Sequence, residues 1–134
     1  MATLHDAATI ALGLPGVTEA RGGHKDHLHW DVAGKMFAWE RPLSKADIKR
    51  WGDSPLPEGE LLAVSTGDIH EKEAILAEGI RGVFTIPHFD GYASVLVQLK
   101  LVTKTALRQL VVDAWLAKAP DDLAESYMKG RKRT

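Results

Sequence analysis

The chain has 134 residues, of which 45% are hydrophobic and 26% charged, and it contains no cysteine. This size and composition are typical of one folded domain with a single core, and they differ from the low hydrophobicity and high charge of a disordered chain. The lack of cysteine excludes disulfides, thiolate nucleophiles and thiolate metal ligands. The 17 basic residues are balanced by 18 acidic ones, so the overall basic charge of most nucleic-acid binders is absent.

The start of the chain and its hydropathy indicate a protein without membrane contact. No apolar stretch reaches the roughly 20 residues that a membrane helix requires. The first residues also lack the basic and apolar regions of a secretion signal. We therefore expect a cytoplasmic protein, with a single domain over residues 1–128 and a basic, flexible tail over residues 129–134.

The first element is predicted to be an amphipathic helix. Thr3 and Asp6 have the spacing of a capping box, and apolar residues then recur at helical intervals until Pro15. The glycine-containing segment 21–25 that follows is typical of a solvated loop.

A β-hairpin comes next. Polar and apolar residues alternate over 27–32, a two-residue Ala33-Gly34 turn follows, and the β-rich composition resumes over 35–40. Three apolar side chains of the first strand are expected on the buried face: Leu28, Trp30 and Val32.

The middle of the chain predicts a short helix, a strand and a second helix. Ser44 and Asp47 repeat the capping-box pattern and begin a helix that ends at about Trp51. The compact apolar run 60–66 predicts a strand, and the segment 68–79 has a capping residue, helical periodicity and a terminal glycine.

The last part of the chain completes the predicted fold. Segment 94–99 has the strongest β composition, Thr103 begins a long helix, and Pro120 begins a further helix to about Tyr127. These elements predict an α+β two-layer sandwich. Its antiparallel sheet is formed by the hairpin and the two later strands, and the first and last long helices cover one face.

Several short patches carry a resemblance to a known family. They are Leu12-Gly13-Leu14-Pro15-Gly16-Val17-Thr18-Glu19, Gly34-Lys35-Met36-Phe37-Ala38, Pro87-His88-Phe89-Asp90-Gly91-Tyr92 before Val95-Leu96-Val97, and Ala114-Trp115 with Ala119-Pro120. With these patches the chain resembles the MmcQ/YjbR family. The resemblance implies an α+β fold of the CyaY-like or double-wing type that is proposed to bind DNA. It implies no established reaction or cofactor.

The first functional hypothesis, which rests mainly on this resemblance, is non-enzymatic DNA binding. Phosphate contacts are assigned to basic residues of the N-terminal half. These are Lys25, Lys35, Arg41, Lys45 and Lys49. The tail over 129–134 is a further positive patch, although terminal basic runs are usually solvated ends. Acidic residues interleave with the internal cluster and weaken its field.

The second hypothesis is a protein-interaction or small-ligand-binding adaptor, which the near-neutral net charge permits. Its groove is predicted from Trp30, Trp39, His88 and Tyr92. Salt separates the two hypotheses, because phosphate binding weakens steeply with salt and burial of aromatic surface does not. The chain is expected to be a monomer or a homodimer, since an exposed hairpin edge permits strand pairing.

Metal binding and hydrolysis are less strongly indicated. His24, His27 and His29 lie close together, and the last two share a strand face, but no spaced ligand signature accompanies them. His88 and Asp90 have the spacing of a hydrogen-bonded pair, but no serine or threonine lies in a nucleophile elbow. We therefore predict no metal, no cofactor and no catalytic residue.

Overall fold

The computed structural model describes residues 2–22 and 27–132. The strands are β1 (Val17–Gly22), β2 (His27–Val32), β3 (Lys35–Glu40), β4 (Leu61–Ser65), β5 (Val83–Phe84) and β6 (Ser94–Gln98). The helices are α1 (Leu4–Leu12), α2 (Lys45–Trp51), α3 (Ile69–Ala77), α4 (Lys104–Lys118) and α5 (Asp121–Lys132), with a 3-10 turn at Pro87–Phe89. The strands form one antiparallel sheet in the order β1-β2-β3-β4-β6-β5.

Two helices begin with the capping boxes that the sequence predicts. At α1, the Asp6 N–H donates to Thr3 Oγ1 at 3.1 Å, and the Thr3 N–H donates to Asp6 Oδ2 at 2.9 Å. At α2, Ser44 and Asp47 make the same reciprocal pair at 3.1 and 2.9 Å. Each box satisfies N–H groups that have no partner within the helix, so both helix starts are determined locally.

The predicted hairpin is confirmed as β2 and β3. Ala33 and Gly34 both have positive φ, 51° and 77°, as a tight two-residue turn between twisted strands requires. The register then shifts by one residue, because Trp30 pairs with Ala38 whereas Asp31 pairs with Met36. This bulge leaves an extra residue in β3 and alters which of its side chains face each side of the sheet.

Helices α1 and α4 cover one face of the sheet, which confirms the predicted two-layer arrangement. The largest fully buried side chains of this helix-covered face include Trp30, Phe37, Leu62, Leu107 and Trp115. The indole N–H of Trp115 donates to the Pro15 carbonyl oxygen at 3.0 Å, so α4 is tied to the start of the chain. Trp30 and Val32 are buried as predicted, and Leu28 packs against the same core.

The opposite face carries a smaller apolar cluster. Ala63, Ile86, Phe89 and Leu96 are buried there. Four half-buried side chains pack against them: Trp39, Leu43, Trp51 and Phe84. Helix α2 and the 3-10 turn cover this cluster but do not extend across the whole face. The sheet therefore keeps an open side next to β2 and β3.

Three details differ from the sequence analysis. Within residues 2–22 and 27–132 the sheet has six strands where four were predicted, since β1 and the two-residue β5 were missed. The side chains of β1 are mostly exposed, so the strand has no apolar alternation and forms through its pairing with β2. Residues 21 and 22 are therefore strand and not loop. Helix α5 continues to Lys132, past the predicted end near Tyr127 and into the predicted tail.

Candidate functional site

The open side of the sheet contains two adjoining cavities that share one wall. The hairpin cavity, of about 400 Å³, is lined by Gly22, His27, Leu28, His29, Met36, Trp39, Glu40, Arg41, Pro42, Leu43 and Ser44. The loop cavity, of about 340 Å³, is lined by Trp39, Arg41, His88, Phe89, Tyr92 and Ser94. Trp39 and Arg41 belong to both. We call the two cavities together the groove.

Trp39, which lines both cavities, has an unused hydrogen-bond donor. All four tryptophans lie within residues 27–132, and three of them donate their indole N–H: Trp30 to Glu19 Oε1, Trp51 to the Pro55 carbonyl and Trp115 to the Pro15 carbonyl. The indole N–H of Trp39 has no acceptor among the described residues, and it is not sealed from solvent. A buried indole N–H usually finds a partner, so an unpaired one in a cavity wall is available to a ligand.

Arg41 lies directly after β3 and is held in one orientation. Its Nη2 donates to Asp47 Oδ2 at 3.0 Å, and its Nη1 donates to the Pro42 carbonyl. The guanidinium carbon lies 5.6 Å from the centre of the Phe89 ring, within cation–π range. Only 19% of the side chain is exposed. Arg41 is thus a fixed part of the groove wall and not a mobile surface charge.

Asp47 supplies the counter-charge for Arg41. Its side chain is 1% exposed, and Oδ2 accepts from both Arg41 and the Ser44 N–H. Burial alone would raise the pKa of this carboxyl. The hydrogen bonds from Ser44 and the charge of Arg41 outweigh that effect and lower the pKa below its ordinary value of 3.8. The ionised carboxylate therefore links the start of α2 to the end of β3.

Lys72 holds the loop that forms the far wall of the groove. This residue of α3 is 6% exposed, and its ammonium donates to the carbonyl oxygens of Phe89 at 2.6 Å and Tyr92 at 2.8 Å. Burial lowers the pKa of Lys72, against a smaller opposing effect from the Asp90 carboxylate. The cation thus replaces water for two loop carbonyls and fixes the segment that carries His88 and Tyr92.

Two histidines, His27 and His29, line the hairpin cavity from one face of β2. His29 Nδ1 lies 2.9 Å from Asp31 Oδ1, and His27 precedes it on the same face of β2. No group of three or more potential ligands is present among the residues that the structure describes. His24, the third histidine of the sequence cluster, lies outside those residues.

The YjbR family model matches residues 12–117. The chain belongs to the YjbR family. Relatives from Mycobacterium bovis and from two strains of Mycobacterium tuberculosis are each 40% identical to it over 131 residues, which is 96% of this chain and 97% of theirs. All three are described only as uncharacterized proteins. No solved structure matches the chain significantly.

The family assignment predicted from the short patches is therefore confirmed, and it brings no ligand or reaction with it. Along residues 2–22 and 27–132 of this YjbR-family protein, no helix has both the length and the apolar surface needed to span a membrane.

The structure brings together three of the four residues predicted to form an aromatic groove. Trp39, His88 and Tyr92 line the loop cavity together. Trp30 does not lie there: it is fully buried on the helix-covered face, and its indole N–H is taken by Glu19. A strand side chain faces only one side of a sheet. The sequence analysis assigned Trp30 both to the core and to the groove, and these two assignments are incompatible.

Four of the five basic residues predicted to contact DNA lie among the described residues, and they occupy three separate places. Lys35 begins β3 and Arg41 follows its end, so the two are separated by roughly 20 Å of strand. Arg41 is paired with Asp47, whereas Lys45 and Lys49 are exposed one turn apart on α2. Lys25 lies outside the described residues.

Sequence reasoning missed two residues of this region. Asp47 was recognised only as a helix cap, although it also binds Arg41. Lys72 was not singled out at all. The available signal was its position on α3, because Lys72 shares a helical face with the partly buried Ile75 and Leu76. A lysine within an apolar stripe indicates a buried ammonium that needs acceptors.

Replacing Asp47 by asparagine should lower the free energy of unfolding by about 1–3 kcal/mol at neutral pH, because Arg41 loses its charged partner. The pKa of Asp47 is lowered in the folded state, so its contribution to the free energy of unfolding is complete above the ordinary pKa of 3.8. This contribution is lost as the pH falls through the lower pKa of the folded state. The difference from the wild type should therefore shrink on acidification. Urea unfolding between about pH 7 and pH 3 measures this, with exposed Asp53→Asn as control. A constant difference would contradict the assignment.

Replacing Lys72 by methionine should lower the free energy of unfolding by about 1–3 kcal/mol, because two loop carbonyls lose their donor. The lowered pKa means that the unfolded chain binds more protons than the folded one just below pH 10.5. This lysine thus makes wild-type stability rise with pH there, by at most about 1.4 kcal/mol per unit. The variant should lack that rise in alkaline urea titrations. Exposed Lys45→Met should retain it, and equal slopes in all three proteins would refute the role of Lys72.

Proposed function

We propose that this protein is a non-enzymatic binding domain that takes a small, partly apolar organic molecule into the groove. The observation that carries the proposal is the unpaired, solvent-accessible indole N–H of Trp39 in the wall between the two cavities. A side chain that buries apolar ring surface and leaves its one polar group free is suited to a ligand with both kinds of surface.

The size and lining of the groove support the proposal. Each cavity falls within the several hundred Å³ typical of small-ligand sites. Apolar walls come from Met36, Leu43 and Phe89, and polar groups stand at a few positions between them. Two polar groups of the lining are engaged in internal pairs, Arg41 with Asp47 and His29 with Asp31. These pairs hold the side chains of the groove wall in place before a ligand binds, as in other pre-organised binding sites.

The proposal is tested with N-phenyl-1-naphthylamine, a neutral probe whose fluorescence rises in apolar surroundings. We expect saturable binding to the wild type. In ¹⁵N-labelled protein, the indole N–H signal of Trp39 should shift more than those of the other three tryptophans, because Trp39 alone combines a free N–H with a place in the groove. Trp39→Phe identifies that signal and should weaken probe binding about tenfold.

The matched control is Trp51→Phe. Trp51 is also half-buried on the open side of the sheet, where it packs edge-on against Phe84, but it does not line the groove. Its replacement should leave probe affinity unchanged. The proposal is wrong if the probe fails to bind, or if Trp51→Phe weakens binding and Trp39→Phe does not.

DNA binding is the second candidate function, and one observation favours it. Lys45 and Lys49 are exposed on the same side of α2, next to the exposed Arg50. Such a cluster suits a few phosphate contacts. The net charge of −1 and the pairing of Arg41 oppose a larger phosphate-binding surface.

The DNA hypothesis predicts salt-sensitive binding that depends on α2. Fluorescence anisotropy with short labelled single- and double-stranded DNA at about 50 and about 200 mM salt should show a steep loss of affinity. A Lys45→Gln/Lys49→Gln variant should bind less tightly and with a smaller salt slope, whereas Lys104→Gln, away on α4, should behave like the wild type. Absence of binding at the lower salt concentration would leave the groove as the single candidate site.

A further inference from the structure

We propose that the ligand of the groove is an aromatic molecule carrying an oxyanion, and that Arg41 is the residue that selects it. This inference rests on the proposed binding function and adds the chemical class of the ligand. The oxyanion is placed in the loop cavity, against Arg41 and Trp39, with the aromatic ring along the apolar walls that these residues share with Phe89.

The first argument concerns the donors that Arg41 has left. A guanidinium carries five N–H groups in one plane. Those toward Asp47 and Pro42 are in use, and the described residues provide no acceptor for the others. Because the ion pair and the Phe89 ring hold the plane in place, the remaining donors are pre-oriented. A fixed guanidinium edge matches the two oxygens of a carboxylate, or two oxygens of a phosphate.

The second argument concerns the groups around Arg41 in the loop cavity. Trp39 adds its free indole N–H, Tyr92 and Ser94 add hydroxyl groups, and His88 adds a ring nitrogen. No carboxylate lines this cavity among the described residues. The hairpin cavity does include one, Glu40, whose Oε1 accepts from the Leu28 N–H. The loop cavity is therefore the half of the groove that is complementary to negative charge.

Asp47 determines how strong the selection can be. Its carboxylate is 1% exposed, so it does not reach a ligand, but it neutralises most of the charge of Arg41. The preference for an oxyanion must then come from short-range hydrogen bonds and not from a long-range field. Charge-assisted bonds of this kind correspond to about a ten- to hundredfold difference in affinity. The preference should also be only weakly dependent on salt, unlike DNA binding.

The experiment compares three probes of the same ring system: 2-naphthoate, 2-naphthyl phosphate and the neutral 2-naphthalenemethanol. Affinities for the wild type are taken from displacement of N-phenyl-1-naphthylamine and from the shift of the Trp39 indole signal. We expect 2-naphthoate or 2-naphthyl phosphate to bind about ten- to hundredfold more tightly than 2-naphthalenemethanol. The comparison of the two anions identifies the oxyanion as a carboxylate or a phosphate.

The role of Arg41 is tested with Arg41→Lys, which keeps a positive charge near Asp47 and removes the planar set of donors. The anion preference should fall to within about threefold, because the affinity for the anions falls more than the affinity for 2-naphthalenemethanol. Tyr92→Phe removes one exposed hydroxyl without touching the core and should reduce the preference by a smaller factor. This second variant keeps the test informative if Arg41→Lys is unstable.

The outcomes separate the two proposals. Equal binding of the anions and 2-naphthalenemethanol, with the Trp39 signal shifted, would leave the groove as a binding site and overturn the oxyanion inference. An anion preference that survives in both variants would overturn the assignment to Arg41. If none of the three probes shifts the Trp39 signal, the proposed binding function fails together with the inference.

Discussion

A carboxylate that is almost completely buried must be compensated by nearby donors, and at Asp47 this requirement joins the parts of the groove. Its Oδ2 accepts from the first residue before α2 and from the guanidinium at the end of β3. Once Arg41 is held there, it lies over the Phe89 ring and between the two cavities. The wall of the groove is therefore set by one buried ion pair.

The groove also depends on how the two faces of the sheet are covered. Helices α1 and α4 close one face with large apolar side chains, and this core supplies most of the buried apolar area. The other face is covered only in part, by the short α2 and the 3-10 turn. The side chain of Trp39 in β3 lies on that face, where its ring packs against Phe89 and its N–H has no acceptor among the described residues. The helix-covered face thus supplies most of the stability, and the other face supplies the proposed binding surface.

The loop that closes the groove shows why long-range contacts matter for a site. Its backbone is a tight turn that Pro87 and Gly91 permit, and the sequence patch there is easy to recognise. Its position relative to Trp39, however, comes from Lys72, which binds two of its carbonyls from α3. A residue 17 positions away along the chain therefore places His88 and Tyr92 at the cavity.

Several elements could be predicted from local patterns because their causes are local. The capping boxes at Thr3 and Ser44, the hairpin turn at Gly34 and the apolar stripe of α4 each depend on residues a few positions apart. The edge strand β1 could not, because its mostly exposed side chains have no alternation and it forms only by pairing with β2. The groove was predicted in part: Trp39, His88 and Tyr92 meet there, whereas Trp30 lies on the other face.

The α+β class, the main helices and the hairpin follow from periodicity, turn residues and caps within short segments of the sequence. The family was indicated separately, by the resemblance of a few sequence patches. Only the tertiary structure decided which polar groups are paired. Arg41 reads in the sequence as one of several basic residues, and Lys72 as an ordinary helical lysine. Their partners lie on other elements, and a charge changes its role when burial forces it to find such a partner.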